Sequence, residues 1–152
     1  MTARALERLA VEVMGCAEVR GRAPTEGEYL IYGGGAQVRI HPHKTIFFHL
    51  NWNPAADPAQ TLALLIATGF SYVWARRRHD IPIDGWYHSC EIFLTDEEVA
   101  RLPGDDKEVR VTKVATAEET AAARFDLSAK LMCEAATEAV CEVMGIDPEA
   151  AE

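Results

Sequence analysis

Three consecutive arginines, Arg76, Arg77 and Arg78, follow Tyr72 and Trp74 in the stretch YVWARRRHD, and Trp86, Tyr87 and His88 open the next aromatic run. Guanidinium groups meet phosphate or carboxylate oxygens in paired hydrogen bonds, and aromatic faces stack on a nucleobase for about 1–3 kcal/mol each. Together these residues have the chemistry of a nucleotide-like ligand site. The expected set is Tyr72, Trp74, Arg76, Arg77, Arg78, His79, Trp86, Tyr87 and His88, joined by Trp52 if strand order brings its strand end alongside. A plainer reading stands beside it: arginines at a strand end prevent edge-to-edge pairing, and alternating aromatics are ordinary sheet core.

Other constellations carry less. HPHKTIFFH offers His41, His43 and His49 as metal ligands. His49 lies about 20 Å beyond His43 on an extended chain, at ~3.3 Å per residue, and no acidic partner lies nearby to orient a ligating imidazole. WYHSC offers His88 beside Ser89 and Cys90. Neighbouring strand residues point to opposite faces, so His88 and Ser89 do not meet, while His88 and Cys90 share a face roughly 7 Å apart. Gly33, Gly34 and Gly35 lack the lysine and helix start of a phosphate loop and suit a hairpin tip. Asp96, Glu97, Glu98, Asp105 and Asp106 fall at helix starts or turns, where dipole and solvent stabilise them. No acid and base pair emerges, so the expectation is a protein that is not an enzyme and has neither metal nor cofactor.

The elements that must position these residues follow from spacing. LERLAVEVMG reads as an amphipathic helix with Thr2 as cap and Gly15 as stop. EYLIYGGGAQVRI reads as a hairpin, and KTIFFHLNW as a strand inside a sheet because both of its faces carry large groups. Asp57-Pro58 starts a helix with Leu62, Leu65 and Ile66 inward and Gly69 as stop. FSYVWARRR and GWYHSCEIFL read as an antiparallel pair with a long loop, and TDEEVARL as a short helix with Thr95 and Glu98 forming a capping box. KEVRVTKVA reads as an edge strand. The stretch 117–144 is helical, with Phe125 and Asp126 expected to divide it and Asp126 to cap a second helix carrying Leu127, Leu131, Ala135, Val140 and Val143 inward.

These elements add up to an α/β (α+β) fold, a mainly antiparallel sheet packed with helices in a sandwich-like single domain over 1–152. A chain of 152 residues is long enough to bury about 70% of its unfolded surface. A net charge of −9 argues against sequence-independent DNA or RNA binding, which depends on a basic surface. Charges at Arg4, Glu7, Arg8 and Glu12 break any leader or membrane-spanning run, so a cytoplasmic protein is expected. Cys16, Cys90, Cys133 and Cys141 show no metal or disulfide spacing and read as buried thiols.

Three stretches, LERLAVEVMG, WNPAADPAQTLALL and LSAKLMCEAATEAVCEVMG, resemble in order the opening helix, the polar turn and second helix, and the alanine-rich closing helix of the phage ABA sandwich domain family. The resemblance implies a phage or prophage accessory protein in the host cytoplasm, with helices sandwiching an antiparallel sheet, and it implies no reaction. In such a setting the arginine and tryptophan set suggests a non-catalytic sponge. It would sequester a small anionic, nucleotide-derived signal of bacterial defence, in a site often assembled between protomers of a homo-oligomer. The alternative is a protein-interaction module whose acidic helices, such as TDEEVARL, dock and block a host or phage protein.

Overall fold

The computed structural model describes residues 1–19, 21–22, 25, 28–32, 35–40, 48–79 and 85–151, and side chains outside 29–51, 79, 123 and 124. The candidate metal ligands His41 and His43, the side chain of His49 and the glycines Gly33 and Gly34 lie outside the described residues, as do residues 80–84, where the long loop was expected.

Helix α1, Ala3–Glu12, starts at Thr2, whose Oγ1 accepts from the Ala5 N–H at 3.2 Å, and it buries Ala5, Leu6, Leu9 and Ala10. Strands β1 (Ala17–Glu18), β2 (Glu28–Tyr32), β3 (Gly35–Ile40) and β4 (Phe48–Trp52) form one sheet in that spatial order. The β1–β2 pair is parallel and the other two are antiparallel. Among the described residues β4 is the terminal strand of this sheet, not an interior one as its two large-residue faces suggested, and α1 packs against β3. Trp52, at the end of β4, is buried, and its indole N–H donates to the Leu6 carbonyl of α1 at 2.9 Å.

Helix α2, Pro58–Thr68, opens where Asp57 accepts from the Ala59 and Gln60 N–H groups, and closes on Gly69 at φ 71°. Its buried side is Gln60, Thr61, Ala63, Leu64 and Leu65, while the expected Leu62 and Ile66 face outward. The stripe is turned because Thr61 is drawn inward, donating its hydroxyl to the Pro54 carbonyl at 2.5 Å.

Strands β5 (Ser71–His79), β6 (Gly85–Phe93) and β7 (Glu108–Thr116) make a second, wholly antiparallel sheet in that order, with α3 (Asp96–Arg101) between β6 and β7 in the chain. Gly85 begins β6 because a Cβ there would press on the Ala115 carbonyl and come within 2.9 Å of Thr116 Cα. β7 is an edge strand, as its alternation implied. The chain thus builds two sheets where one was expected, and the helices pack on both.

Helix α4, Ala117–Met144, is continuous through Phe125 and Asp126. Its start is a capping box at Thr116 and Glu119, and Gly145 ends it at φ 68°. No glycine or proline interrupts the run, so nothing frees Asp126 to leave the helix and cap a second one. α4 lies mainly over β6 and β7 and much less over β5, and α2 packs against it. Cys133, Ala135, Ala136, Ala139, Val140, Cys141 and Val143 are buried along it, and small residues there let the helix approach the sheet closely. Among the described residues, no helix is long and apolar enough to cross a membrane.

Candidate functional site between β5 and α4

Register in the second sheet decides which side chains meet. Arg76 stands opposite His88, and His88 opposite Lys113; Arg78, Trp86 and Ala115 form the next row, and Trp74, Cys90 and Val111 the previous one. Tyr72, Trp74, Arg76 and Arg78 therefore share the face that looks toward α4, as their period of two requires. Because α4 covers the neighbouring strands more than β5, this face passes from core to solvent along β5: Trp74 is half-buried, Arg76 exposed.

Each expected residue then has a definite place. Tyr72 packs back against the core, and the Trp74 indole N–H donates to the Met132 carbonyl at 2.8 Å, tying β5 to α4. The Arg76 guanidinium lies 3.7 Å above the centre of the Trp86 ring. That contact holds the cation flat while leaving its N–H edges free in direction, but it takes the ring face that a ligand base would have stacked on. Arg78 is exposed on the same face as Arg76. Arg77 and Tyr87 pair with each other on the opposite face and do not join the site. His79 ends β5 opposite Gly85, with its side chain outside the described set. Trp52 belongs to the other sheet and is 2% exposed, so it corrects the expectation that its ring would share this site.

The space beside Arg76 is a cleft of about 540 Å³ lined by Arg76, Thr120, Phe125, Ser128, Ala129 and Met132. Its size is within the about 300–1,000 Å³ typical of small-molecule sites. Five of these residues come from α4, and none of those five was foreseen as a binding residue. Phe125 is 77% exposed and stands between this cleft and a second hollow of about 490 Å³ that reaches Asn53, Asp126, Lys130 and Glu134. The signal for them was present: Phe125, Ser128, Ala129 and Met132 fall at i, i+3, i+4 and i+7, one helix stripe. Dividing the helix at Phe125 hid it.

His88 is fully buried beneath the cleft, with Nδ1 3.2 Å from the Lys113 carbonyl and Nε2 3.1 Å from Ser128 Oγ. A carbonyl only accepts, so Nδ1 carries the proton and donates to it. Burial pushes the His88 pKa below its ordinary value, and the Arg76 charge pushes in the same direction against the Lys113 carbonyl, which favours the charged form. The Ser128 hydroxyl then donates a hydrogen bond to the unprotonated Nε2 of the neutral ring. Ser89, the sequence neighbour, points away, as strand parity required, and Cys90 is a buried thiol whose pKa burial raises to about 12.

Among the described residues no three His, Cys, Asp or Glu side chains gather as a metal ion would need. No protein-family model, curated protein or solved structure matches the chain, so the chemistry of the site rests on its own residues.

Proposed function

We propose that the cleft between β5 and α4 binds a small anionic molecule with a flat or apolar body, nucleotide-derived in the first instance. The observation that carries this reading is the Arg76 guanidinium seated on Trp86 at the edge of a cleft whose apolar wall is Phe125, Ala129 and Met132, with Thr120 and Ser128 beside them. A cation fixed by a ring meets an anion with less loss of side-chain freedom, and apolar walls accept a ring. Phe125, not Trp86, supplies the exposed aromatic face for stacking. The phage accessory role belongs to the same proposal and gives the binding its purpose, sequestration of a host signal.

The test is a thermal-shift panel of cyclic dinucleotides, cyclic ADP-ribose isomers and ADP-ribose conjugates, repeated with Arg76→Ala and Phe125→Ala. A ligand at a hundredfold excess over Kd stabilises the fold by about 2.7 kcal/mol. The expected result is a shift with at least one compound that both substitutions diminish; a shift that neither variant changes would refute the cleft as its site.

One observation favours a second reading, a protein-docking module. The face of the second sheet turned away from α4 exposes Val73 at 42%, Phe93 at 37% and Val114 at 43%. A docking module of this kind would give no shift with any nucleotide, and Phe93→Arg would abolish its partner binding while leaving the fold intact.

A further inference from the structure

We propose that Ser128 is a nucleophile, activated by His88, that takes the acyl group of small carboxylic esters bound in the β5–α4 cleft. The inference rests on the reading of that cleft as a small-molecule site. A ligand without an acyl bond is only held there; an ester is attacked.

Nucleophilic catalysis by serine needs a base within hydrogen-bond reach and a third group that orients the base. Ser128 Oγ is 3.1 Å from His88 Nε2, and Nδ1 of the same ring is 3.2 Å from the Lys113 carbonyl. The three groups come from β6, β7 and α4, and the sheet register fixes the first two against each other. Ser128 is mostly buried, at 9% exposure, yet it lines the cleft, so a bound carbonyl can reach it. Arg76 lines the same cleft and stands opposite His88 on the adjoining strand. Its guanidinium is the donor for an oxygen on which negative charge develops, the function oxyanion-binding groups serve. Phe125, Ala129 and Met132 form the apolar wall for the acyl chain.

In the first half-reaction the Oγ–C bond forms, the carbonyl π pair moves onto oxygen facing Arg76, and the serine proton passes to His88 Nε2. The C=O then re-forms, the C–O bond to the alcohol breaks, and the departing alkoxide takes the proton from Nε2. In the second half, His88 takes a proton from water as its oxygen attacks the acyl carbon, and Ser128 Oγ leaves with that proton. Ester and water become acid and alcohol with nothing else consumed. A backbone carbonyl carries no full charge to stabilise the imidazolium as a buried aspartate does. The reaction is therefore confined to esters with good leaving groups and does not extend to amides.

The experiment uses the full chain with p-nitrophenyl butyrate, following p-nitrophenolate release and the intact mass of the protein. The expected result is a burst, a mass gain of one butyryl group located to Ser128, and loss of both in Ser128→Ala. Arg76→Gln slows acylation about 100-fold, the loss typical of one oxyanion donor. The acylation rate rises with pH and levels off once His88 is neutral, which a merely structural histidine would not produce. An adduct that is absent, lies on another residue or survives Ser128→Ala would overturn the proposal. A parallel fluorescence titration with anilinonaphthalene sulfonate separates the two readings. Equal binding by wild type and Ser128→Ala without any adduct leaves the binding cleft standing and removes the nucleophile; absence of both binding and adduct removes both.

Discussion

His88 shows how far single residues can be read. Its strand face, and its inability to meet Ser89, followed from a period of two, but the partner that completes its hydrogen bonding, Ser128, lies 40 positions away on a helix and has no local signature. Sequence spacing finds neighbours on one element; it does not find those that tertiary packing supplies. The buried ring makes a pH prediction. The folded pKa of His88 lies below its unfolded value of about 6.5, so the unfolded chain takes up the proton first. Its contribution to stability is complete above the unfolded pKa and is lost as pH falls from there through the folded pKa. Urea denaturation from pH 7 down to pH 5 should show stability falling, with a smaller slope in His88→Gln, which removes the titration. A stability that rises over that interval, or an unchanged slope in the variant, contradicts the placement of a neutral His88.

At the scale of elements, the starts and stops were legible because they are local chemistry. Thr2, Asp57 and Thr95 cap the helices expected of them, and Gly69 and Gly145 end theirs in the left-handed conformation. The misreading of α4 came from giving Asp126 a capping role although Thr116 and Glu119 already form the box that begins the helix. That misreading concealed the wall of the cleft. α4 also carries a cost that can be measured: Thr137 is wholly buried, and its hydroxyl is the buried side-chain atom without a hydrogen-bond partner among the described residues. Replacing that hydroxyl by a methyl group of similar shape in Thr137→Val should stabilise the protein by about 1 kcal/mol, read as a raised denaturation midpoint with unchanged slope. A loss of stability would mean that the hydroxyl is satisfied.

For the whole molecule, composition and periodicity gave helices on antiparallel sheet correctly, whereas the partition into two sheets was not legible. Strand pairing depends on contacts between distant segments, and β4 carries the same alternation of large residues whether it is central or terminal. That partition removes Trp52 from the site, and the crossing of α4 over β6 and β7 opens the cleft on β5. The four cysteines are free and buried in this shared core; burial raises Cys141 to about 12 and Cys16 to about 11. Since the thiolate is the reactive form, a disulfide exchange reagent should modify none of them until the chain unfolds, and rapid labelling of the native protein would contradict the packing. The most direct test of the ligand cleft uses the three indole N–H resonances in a nitrogen–proton correlation spectrum. Titration with a nucleotide that stabilises the protein should shift Trp86 and Trp74, which border the cleft through Arg76 and Met132, and leave Trp52, bonded to Leu6 in the other half of the fold, where it was. Movement of Trp52 alone, with Trp86 and Trp74 unchanged, would contradict the account.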